Sequence, residues 1–355
     1  MKHILTIIVL CISIVVNAQS PYISRVWEFR PAPGQFINLL PEYEEGDTEE
    51  TMRQKAEEAI ADNAQELISL GSWGGYITFG FDHLVPNLPG QTDFIVYGNA
   101  FYSNSSEVTA KGGSSEPACI WVSYDLNGNG KPDDQWYELA GSEHNNTLTN
   151  HHYALTYYRT PLNHKPTPSV NNRYLTDTTY IQWHNSLDSI GYLFQLSFHQ
   201  QDYFPLWLKE DLLYFEGTRL PDNYQDLSGQ GTYYVQYAYD YGYADNHPNN
   251  TEEAKLDIDW AIDENGNPAN LPGIHFVKVA TGVHQQCGWI GETSTEISGA
   301  EDLHFTTALY DNQQDNQRSI AYYSLTGTYL GSQQPTQTGV YIKQTHSKTQ
   351  KIVIE

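Results

Sequence analysis

The sequence predicts a mainly β protein, an antiparallel β-sandwich or jelly roll with one N-terminal helix. Tyrosine is abundant, with 27 copies, whereas lysine and arginine together number 18 in 355 residues. That balance favours strands and turns over helices. Short apolar or alternating runs, such as residues 76–81 and 192–198, recur along the chain. Turn residues separate these runs at fairly even intervals, which is typical of sandwiches and jelly rolls.

One segment, residues 47–70, predicts a helix. Asp47 and Glu50 have the spacing of a capping box, and Gly71 supplies an end signal. The apolar residues between them fall near helical spacing, and acidic residues fill the other positions. We expect a structural helix packed on a sheet. The near-helical apolar positions are Met52, Ala56, Ala59, Ile60, Leu67 and Ile68.

The first 18 residues have the layout of a secretory signal peptide. A short basic start precedes an apolar run over residues 4–16, and the small residue Ala18 stands at the expected cleavage point. The apolar run is too short to span a bilayer. A lipid-modified Cys11 is the alternative. The sequence therefore predicts an exported protein at the cell surface or outside the cell, with the periplasm as a further possibility.

The charge balance excludes some classes of partner. The formal net charge is −25, from 43 acidic and 18 basic groups. Nucleic acids and anionic lipid surfaces both attract positive protein surfaces, so neither is an expected partner. The balance fits a secreted protein that holds cations, although it also fits a protein kept soluble by its charge.

The chain divides by composition into a β-sandwich domain over residues 19–304, a polar linker over 305–318 and a small β tail over 319–355. Two cysteines remain after removal of the signal segment, Cys119 and Cys287. In an exported protein such a pair is compatible with a disulfide, and equally with two buried thiols.

The loop over residues 125–133 predicts a calcium site. It matches the pattern D-x-[DN]-x-[DN]-G-x-x-D, and Gly130 allows the turn that brings its oxygens together. The flanking segments read as strands and the twelfth position is Trp136, so the loop is not an EF-hand. A metal-free Asn-Gly hairpin turn is the alternative. The predicted ligands are Asp125, Asn127, Asn129, the carbonyl of Lys131, and Asp133, bound directly or through water.

Two aromatic segments predict a ligand site. Residues 239–250 (YDYGYADNHPNN) place polar groups between tyrosines, and a similar arrangement surrounds Trp289. Such surfaces hold sugars or other flat ligands. The structural alternative is a strand end with a tyrosine-rich face. The predicted ligand-binding residues are Trp136, Tyr241, Tyr243, Asp245, His247 and Trp289.

Several stretches of residues 21–304 resemble a family of Bacteroidetes exported proteins known as cell surface proteins. They are PAPGQFIN, LGSWGGYITFGFDH, YGNAF, SEPACIWVSYDLNGNGKPDDQWYELAGSE, YGYADNHPNN, LPGIHFVKV and GETSTEISGAEDL. The resemblance implies a surface location. It also implies association with outer-membrane TonB-dependent receptors, including loci for corrinoid uptake.

The C-terminal tail resembles the sorting domain of type IX secretion substrates. The matching stretches are YSLTG at 323–327, GVYI at 339–342 and KIVI at 351–354. This second resemblance implies delivery across the outer membrane.

These observations predict a non-enzymatic, calcium-stabilised surface protein that binds a ligand and assists capture of a nutrient, either a glycan or a corrinoid. One alternative is a glycoside hydrolase that uses a carboxylate pair. Its candidate carboxylates are Glu138, Asp240 and Asp245. Another alternative is a structural or adhesive protein, which predicts no deep pocket beside the aromatic loops.

Overall fold

A computed structural model describes residues 19–305, 321–324, 329–331, 335–345 and 348–354. The chain forms two compact units, residues 1–304 and 305–355. The predicted signal segment and nearly all of the predicted linker lie outside the described residues. Within the described residues, no helix has both the length and the apolar character needed to span a bilayer.

The α-helix α1 spans Glu49–Ile60 and is shorter than predicted. Its capping box joins Thr48 and Thr51, each side chain accepting from the other residue's backbone N–H, rather than Asp47 and Glu50. The helix ends early because Asp62 and Asn63 adopt φ of 50° and 64°. Such left-handed residues cannot continue a right-handed helix. Of the predicted helical residues that follow, Leu67 precedes β2 and Ile68 belongs to it.

The strands of the large unit run antiparallel wherever they pair. The first are β1 (Arg25–Arg30), β2 (Ile68–Ser69), β3 (Tyr76–Pro86), β4 (Phe94–Tyr97), β5 (Phe101–Tyr102), β6 (Gly112–Ser114), β7 (Ala118–Ser123), β8 (Trp136–Leu139) and β9 (Asn150–Tyr158). Then come β10 (Leu175–Asn185), β11 (Ile190–Leu196), β12 (Leu212–Arg219), β13 (Tyr224–Asp226), β14 (Tyr234–Tyr237), β15 (Lys255–Leu256), β16 (Ala261–Ile262), β17 (Gly273–Thr281), β18 (Glu296–Ile297) and β19 (Gly299–Asp302).

Short 3₁₀ helices cover Glu252–Ala254, Ile258–Trp260 and Gly288–Ile290. The second one directly precedes β16. The Asp257 side chain accepts from the backbone N–H of Asp259, and this cap turns the chain into the 3₁₀ helix.

A six-stranded sheet with the order β1-β3-β17-β7-β8-β16 organises the large unit. At its centre Val277 of β17 lies opposite Phe79 of β3 and Val122 of β7. All three side chains are buried, which places the main core against one face of this sheet. β1 carries a bulge, because Val26 pairs with Phe79 and Glu28 with Thr78, leaving Trp27 as the extra residue.

The remaining sheets of the large unit have the orders β11-β10-β9-β12, β13-β14-β6-β5, β15-β4-β19 and β18-β2. Strands hold 39% of the residues and helices 7%, which confirms the mainly β class with one α-helix. The sheets form a propeller-like ring of four blades and are not clearly a sandwich or jelly roll. Alternation along a strand shows which face is buried, but it does not determine how separate sheets pack.

Cys119 and Cys287 are both buried free thiols. Burial raises the pKa of Cys287 to about 12 and that of Cys119 well above its usual range. The sequence is compatible with a disulfide or with two buried thiols, and the structure contains two buried thiols.

The small unit contains a sheet with the order β21-β20-β22-β23. Its strands are β20 (Ala321–Ser324), β21 (Tyr329–Gly331), β22 (Gly339–Thr345) and β23 (Lys348–Ile354). β22 and β23 form a regular antiparallel hairpin, from the pair Gly339 and Ile354 to the pair Thr345 and Lys348.

Candidate functional site

The outer face of the six-stranded sheet forms one wall of an aromatic cleft. Successive side chains of a strand point to opposite faces. In β7, Ile120 and Val122 are buried, so Trp121 between them projects from the other face. In β17 the same alternation projects Lys278. Through the bulge in β1, the consecutive residues Trp27 and Glu28 both line the cleft.

β12 supplies the opposite wall of this cleft, through residues 214–218. The cleft is open to solvent on one side and has a volume of about 600 Å³. That volume suits a small ligand or a few sugar units. Its aromatic lining consists of Trp27, Trp73, Tyr76, Trp121, Trp136, Tyr214 and Phe215.

Charged groups lie among the rings of the cleft. The ammonium of Lys278 sits 4.0 Å from the ring centroid of Tyr76 and 5.8 Å from that of Trp121. Both distances allow cation–π attraction. Burial lowers the pKa of Lys278. The hydroxyl of Tyr214 donates to Glu216 at 2.9 Å. The cleft therefore combines flat apolar surfaces with a cation and carboxylates.

A cluster of Glu138, His144 and His151 lies beside this cleft. Each residue offers one ligand atom, and the three atoms lie within 4.8 Å of one another. Thr218, which lines the cleft, donates its hydroxyl to Glu138 at 2.9 Å. Burial raises the pKa of Glu138 to about 7, and burial also lowers the pKa of His144.

The predicted calcium ligands lie together in one exposed loop between β7 and β8. Asp125 accepts from the backbone N–H groups of Asn129 at 3.1 Å and Gly130 at 2.8 Å. Asp133 accepts from the side-chain amides of Asn127 at 3.2 Å and Asn129 at 3.0 Å. The Asn129 amide, followed by that of Asn127, lowers the pKa of Asp133.

The chemistry of this loop fits a hard cation. Carboxylates, amide groups and a backbone carbonyl are the donors that Ca²⁺ takes. Asp133 already draws on the amide donors of Asn127 and Asn129, so its negative charge faces both of these side chains. The amide oxygens of Asn127 and Asn129 accept from the backbone N–H groups of Asn129 at 3.0 Å and Lys131 at 2.8 Å. Turning the amides toward a cation would exchange these bonds for metal ligation. The carbonyl of Lys131 accepts from the N–H of Asp133 at 2.9 Å.

Two of the predicted ligand-binding residues, Asp245 and His247, are buried structural groups. Asp245 accepts from the N–H groups of Asn99 at 2.8 Å, Ala100 at 2.9 Å and Glu296 at 3.0 Å. The two ring nitrogens of His247 lie 2.6 Å from the hydroxyl of Tyr102 and 3.1 Å from a backbone carbonyl. The polar atoms of both side chains are therefore hydrogen-bonded within the fold.

The structure does not bring the other predicted ligand-binding residues into one site. Tyr243 is buried, and its hydroxyl accepts from the N–H of Glu143. Tyr241 is exposed, with its ring 4.8 Å from that of Trp260. Trp289 lines a second cleft of about 710 Å³ beside Tyr174. Trp136 alone of the six lines the aromatic cleft.

Asp245 belongs to a second cluster of carboxyl groups, with Glu116 and Glu296, whose oxygens also lie within 4.8 Å of one another. Glu296 accepts from the hydroxyls of Ser69 at 3.0 Å and Ser294 at 2.8 Å. Burial, followed by the charge of Glu296, raises the pKa values of both Glu116 and Asp245. This cluster is therefore a hydrogen-bonded part of the interior.

Most residues of the aromatic cleft do not stand out in the sequence. Trp121 and Lys278 each look like one residue of an alternating strand. The available signal was the single large or charged side chain between buried neighbours, as in CIWVS and HFVKV. Such positions identify an outward face.

Comparison of the chain with protein-family models and with curated proteins finds no match.

Proposed function

We propose that the protein is an exported, calcium-stabilised ligand-binding protein that captures a nutrient at the cell surface, with the aromatic cleft as its binding site. The observation that carries this proposal is the outward face of the six-stranded sheet, where Trp27, Trp121 and Trp136 line one cleft. Tryptophan offers a large rigid surface and dominates many binding sites.

A glycan fits this cleft better than a purely apolar ligand. Sugar rings have apolar faces that stack on aromatic rings, and hydroxyl groups that seek charged or polar partners. Glu28, Glu216 and Lys278 supply such partners among the rings. A corrinoid, whose flat macrocycle also stacks on aromatic rings, is the alternative nutrient.

The predicted calcium loop, residues 125–133, borders the aromatic cleft. Pro132 belongs to the loop and lines the cleft, and Trp136 follows the loop by a few residues. A cation held by Asp125 and Asp133 would fix the path of the chain between them. Calcium would therefore act by ordering the rim of the cleft, and not by touching the ligand.

The surface location rests on the N-terminal segment over residues 1–18 and on the tail that resembles a sorting domain. An outer-membrane TonB-dependent receptor is the proposed partner for transfer of the captured nutrient. Binding measurements test the role of the cleft and do not test the role of the tail.

Binding of soluble polysaccharides and of a cobalamin, measured by calorimetry, tests the cleft. Trp121→Ala and Trp136→Ala should each weaken binding at least about tenfold, or about 1.4 kcal/mol. Trp289→Ala, which removes a tryptophan from the second cleft, is the matched control and should leave affinity unchanged. Binding that depends on Trp289 and not on Trp121 would transfer the site to the second cleft.

A glycoside hydrolase is the second candidate, and Glu138 favours it. Its pKa of about 7 suits a general acid, and it lies beside a cleft that Glu28 and Glu216 line. Asp240, in contrast, is exposed and pairs with Lys111. Release of reducing sugar that is lost in Glu138→Gln but survives EDTA would support hydrolysis, whereas an inactive wild-type protein on the same polysaccharides would oppose it.

A further inference from the structure

We infer that Glu138, His144 and His151 form a binding site for a divalent transition metal, of which Zn²⁺ is the natural probe, at the end of the aromatic cleft. This site is separate from the proposed calcium loop, and it does not depend on the identity of the cleft's ligand. Two imidazoles and one carboxylate are a donor set that zinc takes in proteins, whereas calcium prefers oxygen alone.

The hydrogen bonds of His151 leave one ring nitrogen available to a metal. Nε2 lies 3.0 Å from the backbone carbonyl of His144, which can only accept, so Nε2 carries the proton. In a neutral ring Nδ1 then holds a lone pair. Metal-binding histidines commonly donate their other N–H to a carbonyl in this way, because that bond fixes the ring.

Nδ1 of His151 has no strong protein partner. The nearest one is the hydroxyl of Thr218 at 3.4 Å. That hydroxyl has a single proton and donates it over the shorter distance of 2.9 Å to Glu138. The lone pair of His151 and the carboxylate of Glu138 therefore face the same hydroxyl, and one proton cannot satisfy both.

His144 supplies an independent indication. Its Nδ1 is buried and has no hydrogen-bond partner among the described residues. A buried polar atom without a partner is costly and calls for an explanation, such as a bound ion. The ring lies 4.4 Å from that of His151, centroid to centroid. Burial lowers the pKa of His144 and so favours the neutral form that binds metals.

The geometry requires only a small contraction. Ligand atoms within 4.8 Å of one another can each reach a central ion when they move inward by about 1 Å, since zinc bonds to nitrogen and oxygen measure about 2.0–2.2 Å. Three protein ligands leave a fourth position open. Thr218 stands between the cluster and the cleft, so this position can take water or a ligand atom from the cleft.

Calorimetry of the EDTA-treated full-length protein with Zn²⁺ tests the site, alongside Co²⁺ titrated by absorption spectroscopy. We expect one equivalent of metal, and a loss of at least about tenfold in affinity for His144→Gln, His151→Gln and Glu138→Gln. His152→Gln is the matched control, because His152 neighbours His151 on β9 but is exposed. Asp125→Asn controls for the calcium loop. Both controls should bind Zn²⁺ as the wild type does.

Absence of stoichiometric binding by the wild type would overturn the inference, as would equal weakening by His152→Gln and His151→Gln. If the ligand variants fail to fold, an anomalous difference map of zinc-soaked wild-type crystals decides the question without a substitution. A peak bounded by Glu138, His144 and His151 supports the site, and a map without one contradicts it. A protein that binds Zn²⁺ here but no glycan would refute the proposed function and leave this inference standing.

Discussion

Two groups of acidic residues in this chain have opposite chemistry. In the exposed loop between β7 and β8, Asp133 accepts from side-chain amides that lower its pKa. In the interior, Asp245 has an oxygen close to those of Glu116 and Glu296, and burial raises its pKa. The loop keeps its charge and suits a cation, while the interior favours the protonated form of its carboxyl groups.

The difference shows that the ionisation of an acidic residue depends on its surroundings. A carboxylate surrounded by donors in water stays ionised, whereas a desolvated one with carboxyl neighbours retains its proton. The formal charge of −25 therefore counts buried carboxyl groups, whose pKa values are raised, together with exposed ones. Exposed loops, and not the buried cluster, carry the charge available to a partner.

The largest expected contrast concerns truncation of one aspartate in each group. Asp245→Ala removes the acceptor of three backbone N–H groups and should destabilise the protein by roughly 3 kcal/mol or more, because each donor left unpaired in or near the interior costs about 1–3 kcal/mol. Asp125→Ala frees donors that water can reach and should cost less than about 1 kcal/mol. Urea unfolding in EGTA measures both.

If Asp245→Ala does not fold, Asp245→Asn keeps one oxygen for Asn99 and Ala100 and should lose a smaller part of the stability. Equal losses for Asp245→Ala and Asp125→Ala would remove the contrast between the two regions.

The next effect is a pH dependence carried by Glu292, another buried carboxyl group. One of its oxygens accepts from the N–H of Gln35, and the other has no partner among the described residues. Burial raises its pKa to about 8 from 4.5. Between these two pH values the folded protein holds a proton on Glu292 that the unfolded chain has released. The free energy of unfolding therefore decreases as pH rises through this range.

Glu292→Gln should remove up to roughly 4 kcal/mol of the stability difference between pH 5 and pH 8.5, at about 1.4 kcal/mol per pKa unit. Urea unfolding at the two pH values measures this. The exposed Glu107→Gln serves as the control and should leave the pH profile unchanged. An unaltered profile in Glu292→Gln would mean that Glu292 is ionised in the native protein.

The smallest effect concerns calcium at the exposed loop. At a free concentration of about 100 times its dissociation constant, calcium should raise the free energy of unfolding by about 2.7 kcal/mol. Asp125→Asn and Asp133→Asn should abolish this gain. Asp263→Asn changes a similar acidic turn and should retain it. Unfolding midpoints that are identical in calcium and in EGTA would exclude calcium from the loop.

The sequence was most informative where the relevant residues are contiguous. The loop over residues 125–133 brings its four predicted polar side chains together in the structure because their spacing and the glycines place them on one turn. Alternation likewise identified strands such as β3 and β7. The predicted extent of the helix was wrong. The left-handed residues Asp62 and Asn63 follow the end of α1, although an apolar pattern continues beyond them.

The cleft was harder to predict because its walls come from distant parts of the chain. Trp27, Trp121 and Lys278 meet only through the strand order β1-β3-β17-β7, which the local pattern does not specify. The sequence indicated a ligand site at residues 239–250 because these residues, unlike those of the cleft, are contiguous. A run of tyrosines with Asp245 and His247 has the composition of a binding surface, but hydrogen bonds to backbone groups hold Asp245 and His247 inside the fold.

The bulge in β1 also bears on how the protein avoids self-association. β1 is the edge of the six-stranded sheet, and an edge strand offers unpaired backbone groups to any other strand. The extra residue at Trp27 interrupts the regular ladder, and α1 covers part of the edge, because Glu57 accepts from the N–H of Val26 and Arg53 donates to the Val26 carbonyl. A second copy therefore meets an irregular strand whose backbone groups at Val26 are already bonded to α1, which is a poor template for intermolecular pairing.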